Sequence, residues 1–426
     1  MLKEPKYGVT FVYDGTEDPL IPPTMGEPRR DHAKKGDQAV GSHNEIVTEL
    51  AGRACYDSLG KGRSSEDYHQ HIRDVNHNSV WGHSYHHFVI IGGLGNDFVQ
   101  HLINEPGIVI TTDKANLAHF ITLNIRALVQ QVARLEYLKN KDRVSIMTTT
   151  IIKNMARQAA RVDPQLIAWI PGCSEEFTES DGGGFVKRLE LTAIQAVCYA
   201  AKVRLGGTWT IGKVMEDPER KEFLAHGYTV WYLEGFSRGW SHEHVRHTKE
   251  IGISQRSTRY VDESDSDWAW HPLIRQFLED PNANEEERTK LLNDLKDAEE
   301  ICRDVYEEGV PLLQKYVKNR QPDIDKTTAR KQARGAMRGV LGNALPTSMM
   351  WSVSLSELLF HYMPQRHSRY ADAEIRVFAN MLGEHLQERY PAIFSHLEKQ
   401  ESPDGLADEW TGWNEPLSHN NPYPEW

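Results

Sequence analysis

The sequence predicts a fold of mixed α and β structure in which one kind of unit is built twice. Three observations carry this. The chain has 426 residues, 39% of them apolar and 26% charged, which gives a globular protein with material for two or three domains. Two segments rich in β-branched and aromatic residues, from His83 and from His226, read as a strand leading into a helix. Those segments stand at one fixed spacing, the mark of an internal repeat.

Cys55-Tyr56 recurs 143 residues later as Cys198-Tyr199. At the same shift, His83 to Leu102 aligns with His226 to Val245, which puts Tyr85 on Tyr228 and Gly92 on Gly235. Further on, Thr122 to Leu128 resembles Ser352 to Leu358 at a shift of 230, so the second copy is longer by the difference of the two shifts, 87 residues. These matches divide the chain into a first repeat (1–172), a linker (173–187), a second repeat (188–401) and an irregular tail (402–426). The linker is polar and holds Gly182, Gly183 and Gly184. The extra length of the second copy is a charged, helical insertion at about 262–335. Asn282 or Asn284 ahead of Glu285, Glu286 and Glu287 is a helix start, and Leu291, Leu292 and Leu295 give it an apolar face. The tail is rich in Pro, Asn and Trp.

Composition excludes several classes. The net charge of −12 argues against nucleic acid, whose phosphates need a broad basic surface. The apolar runs are too short for a membrane span, and the N-terminus has no apolar core of a signal peptide. The four cysteines form no Cys-x-x-Cys pair, so a reducing cytoplasm is the expected setting.

Against this acidic background, residues 246 to 259 are basic: Arg246, Lys249, Arg256 and Arg259 face a single acid, Glu250. With Ser257 and Gln255 they form the set that a phosphate attached to a hydrogen-bonding ring requires. A nucleophilic serine needs an adjacent base held by a third group. Nothing at the right spacing supplies one to Ser257, so a phosphate-binding hydroxyl is the simpler reading and no protein nucleophile is expected. Histidines cluster at His69, His71, His77, His83, His86 and His87, and again at His242, His244 and His247. No carboxylate or cysteine completes a recognisable ligand set around them, so no metal is expected.

Gly235-Phe236-Ser237-Arg238, then Ser241 to His247, then Gln255-Arg256-Ser257-Thr258-Arg259-Tyr260, resembles the signature of flavin-dependent thymidylate synthases. His77-Asn78-Ser79-Val80-Trp81-Gly82-His83 looks like that family's His-x-Ser-x-x-Glu-His. Leu123-Asn124-Ile125-Arg126-Ala127-Leu128 looks like its Val-Asn-x-Arg-x-Leu flavin segment. Arg338 ahead of Leu345-Pro346-Thr347, and Ala373-Glu374-Ile375-Arg376, look like two further family segments, so the resemblance runs from about Glu45 to Phe394. The chain departs from the pattern in several places. Thr248 stands for an arginine, the spacing to Ser257 is one residue longer, and Gly82 stands for a glutamate. Ser354 and Ser356 replace Asn and Arg in the second copy, and Ile103 and Asn104 replace the signature in the first.

The resemblance implies an α/β (α+β) fold, with two units of mixed sheet flanked by helices fused in tandem. It implies a one-carbon transferase, a methyltransferase and flavoprotein that methylates carbon 5 of deoxyuridylate. FAD would be the cofactor, and NADPH and methylenetetrahydrofolate the co-substrates. The residues it assigns to the nucleotide are Arg246, Gln255, Arg256, Ser257, Arg259 and Arg338. Those it assigns to the flavin are His83, Asn124, Arg126, Gln130, Arg246, His247 and Thr248. Asn124 and Arg126 stand in an otherwise apolar pattern, which a plain amphipathic helix also explains. Family members are homotetramers with shared sites, so a fused duplicate is expected to act as a pseudo-dimer, two chains pairing as a homodimer. Two other readings stay open: hydroxymethylation, or methylation of another pyrimidine nucleotide, on the same scaffold; and a non-catalytic nucleotide-binding descendant.

Overall fold

The computed structural model describes residues 2–15, 19–22, 41–58, 63–91, 96–102, 105–115, 117–139, 145–169, 186–247 and 252–413. Gly92, Ile103, Asn104, residues 170–185 of the linker region, Thr248 and the tail beyond 413 lie outside the described residues, as does the side chain of His247.

Two four-stranded sheets organise the molecule. In the first half the strands are β1 (Gly8–Tyr13), β2 (Tyr85–Ile91), β3 (Ile108–Thr112) and β4 (Ala118–Asn124). The helices between and after them are α1 (His43–Tyr56), α2 (Ser65–Asp74), α3 (Asn96–Leu102), α4 (Ile125–Lys139) and α5 (Ile146–Val162), with a 3-10 turn at Asn78–His83. The second half runs β5 (Val186–Leu189), α6 (Ala193–Leu205), β6 (Tyr228–Ser237), α7 (Arg238–His247) and β7 (Gly252–Gln255). Three insertion helices follow, α8 (Pro272–Glu279), α9 (Glu285–Arg320) and α10 (Lys326–Met337). Then come β8 (Pro346–Ser354), a short helix with a π segment at Leu358–Tyr362, and α11 (Ala373–Arg389). One sheet has the order β3-β4-β2-β5 and the other β7-β8-β6-β1. Every pairing among the described strands is antiparallel, so of the expected forms it is α+β that is realised.

The registers of the two sheets agree with the sequence shifts. Tyr85 lies opposite Asn124 and Tyr228 opposite Ser354. Phe88 lies opposite Ile121 and Trp231 opposite Trp351. Tyr85 and Tyr228, related by the shift of 143, stack on each other with ring centroids 3.8 Å apart. One sequence match does not hold in three dimensions. Cys55 lies in the last turn of α1 and Cys198 in the middle of α6. The capping boxes, Ser42 with Glu45 and Thr192 with Gln195, align these helices at a shift of 150 instead.

Neither sheet is built from one stretch of chain. β1 pairs with β6 of the second half, while β5 pairs with β2 of the first. Val186 and Lys187, expected in the linker, already belong to β5. Alternation along the strands serves both cores. Trp231, Leu233, Met349, Trp351 and Val353 pack with the second half's helices, whereas Val230, Tyr232 and Met350 join the first half's core around Phe88, Leu50 and Met155.

The insertion helix α9 begins at Asn284, whose side chain accepts from the backbone N–H groups of Glu286 and Glu287. It continues for 36 residues through Pro311. Gly309 lies where α10 crosses closely, and a Cβ there would come within 2.3 Å of the end of the Met337 side chain, which would have to shift. β9 (Glu398–Gln400), just before the tail, pairs with β10 (Glu409–Thr411) inside it, and Trp410 and Trp413 of the tail pack on His367. Among the described residues, no helix is long and apolar enough to cross a membrane.

Candidate active site

The basic motif meets the first half at the seam between the two sheets. β7 is a short strand ending at Gln255, and the chain then turns so that the Ser257 N–H donates to the Cys55 carbonyl at 2.9 Å. The 3-10 turn Asn78–His83 packs between β7, α1 and α4. A cavity of about 250 Å³ opens there. Cys55, Tyr56, His77 and Ser79 line it from the first half, and Ser254, Gln255, Ser257 and Tyr260 are among its lining from the second.

Its walls are aromatic. Tyr56 and Tyr260 meet edge to face at 4.6 Å, and the Tyr56 hydroxyl bonds the His77 Nδ1 at 3.2 Å. Burial lowers the His77 pKa, with His71 adding to the effect, so the ring is neutral at pH 7. Burial also pushes the Cys55 thiol up to about 12, which leaves it protonated and inert.

Arginines stand behind this box. The Arg256 N–H donates to the Ser348 carbonyl at 2.8 Å, and its guanidinium pairs with Glu263 at 3.0 Å. Arg238 donates to the Arg256 carbonyl at 2.8 Å. Burial lowers the Arg238 pKa; Glu263 works against this, while Arg256 and Arg338 add to it. Two guanidinium groups, Arg256 and Arg238, therefore share one buried acid. The Nε atoms of Arg238 and Arg256 are buried with no hydrogen-bond partner among the described residues, so the cluster has unused donors. Helix α10 holds the motif from outside: Arg334 donates to the Tyr260 carbonyl at 2.7 Å and pairs with Asp262, and Lys331 lies 4.5 Å over the Tyr260 ring.

The residues singled out in the sequence fall into three groups. Ser257 lines the cavity and Arg256 stands behind it. Gln255 also lines it, but its amide already donates to Ser241 and Thr347. Arg246 at the end of α7, Arg259 beside α10 and Arg338 after α10 are exposed, as cations at a rim would be. The flavin set is more dispersed. Arg126 is half-buried in the first turn of α4, and Gln130 is exposed one turn on.

His83 and Asn124 both make contacts within the fold, although the Asn124 Nδ2 is buried with no partner among the described residues. His83 is 1% exposed, and both ring nitrogens are taken, Nδ1 by Ser352 at 2.8 Å and Nε2 by Ser254 at 2.9 Å. Its relative at the shift of 143, His226, bonds Thr122 and Thr111, each at 2.8 Å. The two histidines make reciprocal bonds across the seam, so His83 is a structural clasp and has no free nitrogen for a flavin. Asn124 is also buried, and its Oδ1 accepts from the Ala127 N–H at 2.7 Å, capping α4. Ser354 caps the matching helix through the Glu357 N–H. Sequence reasoning missed Arg238 as a charge, Arg334 as a brace and Tyr56 as a wall. Tyr56 is revealed only by contact across the seam, and Arg238 and Arg334 only by tertiary contacts within the second half.

Residues 189–392 match the family model described as thymidylate synthase complementing protein. A protein named flavin-dependent thymidylate synthase from Mycolicibacterium vanbaalenii is 34% identical over 182 residues, covering 43% of this chain and 66% of the relative. One of the same name from Mycolicibacterium gilvum is 29% identical over 228 residues, covering 54% of this chain and 85% of the relative. The chain belongs to the flavin-dependent thymidylate synthase family. It spans about two thirds of the length of the first curated relatives it matches, 66%. Every residue from Arg238 to Arg338 discussed above lies inside the part that matches the family model; Tyr56, His77, Ser79, Asn124 and Arg126 precede it.

Proposed function

We propose that the chain is a flavin-dependent methyltransferase that converts deoxyuridylate to thymidylate at a site shared by its two halves. The observation that carries this is the seam cavity, where Tyr56, His77 and Ser79 of the first half face Ser257 and Tyr260 of the second, with Arg256 and Arg238 behind them. Tyr56, Tyr260 and neutral His77 would flank the pyrimidine ring. Arg256, Arg238 and the Ser257 hydroxyl would bind the phosphate, with Arg246, Arg259 and Arg338 steering it from the rim. With Cys55 held as a thiol, these residues bind and orient; none acts as a nucleophile.

A flavin, when bound, supplies the reducing equivalents for the transfer, with NADPH and methylenetetrahydrofolate as co-substrates. At about 250 Å³ the cavity is below the ~300–1,000 Å³ usual for enclosed ligands, so it fits a mononucleotide better than a dinucleotide. FAD would need surface outside it. Arg126, Gln130, His247 and Thr248 remain the residues proposed for that contact.

The same reading takes the chain as a tandem duplicate acting as a pseudo-dimer. The matched registers, the reciprocal histidine clasps and the Tyr85–Tyr228 stack support it. A cytoplasmic setting follows from the unpaired cysteines among the described residues.

The test is a product mass measurement. The full chain is incubated with deoxyuridylate, methylenetetrahydrofolate, FAD and NADPH. A product heavier by one methyl group supports the reading. A hydroxymethyl product replaces it with the hydroxymethylase alternative, and unchanged nucleotide with reduced flavin present overturns it.

A further inference from the structure

We propose that α9 is a dimerisation helix on which a second copy of this chain docks in antiparallel orientation. The helix belongs to the insertion, and its inner face is occupied. Tyr306 is 1% exposed, Gly309 meets Met337, and Leu295 and Cys302 pack against the Trp268–Trp270 cluster. Beside it runs an apolar stripe, with the exposed Glu308 on the same face between Val305 and Leu312. Ile301 is 62% exposed, Val305 44%, Leu312 68% and Tyr316 61%. Such a stripe on one helical face, about 22 Å long at 1.5 Å per residue, needs a partner.

The partner's identity is written in the spacing and in the charge. The stripe is symmetric about the point between Glu308 and Gly309: Ile301 and Tyr316 are equidistant from it, and so are Val305 and Leu312. A two-fold axis there sets Ile301 against the partner's Tyr316 and Val305 against the partner's Leu312, an isologous contact. The charges are polarised along the same helix. From Glu285 to Glu308 there are ten acids and four bases, and from Gly309 to Arg320 three bases and no acid. Only the antiparallel arrangement lays the acidic stretch of one copy along the basic stretch of the other. It brings Asp304 beside the partner's Lys315, twice by symmetry; both residues are exposed on one flank of the stripe. A parallel pairing would set acid against acid.

The full chain is measured by analytical ultracentrifugation at micromolar concentration, with circular dichroism to verify folding. The wild type is expected to associate, and Leu312→Glu to halve its solution mass while keeping its helical signal. Asp304→Lys is expected to raise the dissociation constant several-fold, and the double variant Asp304→Lys with Lys315→Asp to restore it. A monomeric wild type, a Leu312→Glu variant of unchanged mass, or a double variant no tighter than the single one would each overturn the proposal. Because the readout is mass, its failure is distinct from any failure of the catalytic reading.

Discussion

His83 and His226 show how one residue type can carry two readings in a sequence. A histidine beside a family-like motif looks like a ligand, yet each ring is clasped by two hydroxyls of the opposite half. Burial lowers His83 to about 3, and His87, His244 and His367 likewise to about 3. In the unfolded chain these rings titrate near the ordinary 6.5, so below that pH the unfolded state binds more protons than the folded one. Stability should therefore be full above pH 6.5 and fall as the pH drops toward 3, by about 1.4 kcal/mol per unit for each such ring. Thermal melts from pH 7.5 to 4.5 check this; a midpoint that rises on acidification would contradict it. Asn124 makes the same point about caps. A capping residue and a flavin ligand are both polar residues at a strand–helix junction, and sequence alone does not separate them. The change to Ser354 in the second copy, which reads as a lost ligand, keeps the cap. Asn124→Ala should cost about 1 kcal/mol in denaturant unfolding, whereas Asn124→Ser should cost little. A serine variant that is as unstable as the alanine one would rule out capping as the role.

At the scale of elements, much was legible. Strand pairing follows side-chain alternation, so matched hydrophobic patterns at shifts of 143 and 230 carried the same register into both sheets. The helix beginning at Asn284 was readable because caps are local. The Cys-Tyr pair misled because two residues on a helix specify no phase, while the capping boxes do. The seam was not legible, since its contacts join residues about 200 apart in the chain. The brace from α10 was equally hidden, as a tertiary contact within the second half. Arg334→Ala removes a charge-assisted bond to the Tyr260 carbonyl of about 1.5–3 kcal/mol. It should raise the nucleotide KM about tenfold with kcat little changed, because Arg334 shapes the loop without touching the pyrimidine. Steady-state kinetics decide this; a fall in kcat alone would assign Arg334 another role.

For the whole molecule, the proposed duplication asks what occupies the place equivalent to the seam cavity. At the shift of 143, His77 maps to Arg220 and Ser257 to Lys114. Nearby, Arg204 pairs with Glu219 at 2.8 Å and reaches the Thr112 carbonyl at 3.4 Å. A salt bridge and its hydrogen bond stand at that place among the described residues. Isothermal titration with deoxyuridylate should therefore give one nucleotide per chain; two would show that the equivalent place is a second site.

The exchange of β1 and β5 between the sheets has a consequence for how the protein is made. The strand synthesised first completes the sheet of the half synthesised last, and the first half's sheet gains its edge only when residues 186–189 have left the ribosome. Until then each half presents a bare strand edge, a template for wrong pairing. Neither half is a module that can be lifted out, and residues 189–392 expressed alone would carry β6 without β1. A chain cut between its halves would leave each part without a strand that the other carries.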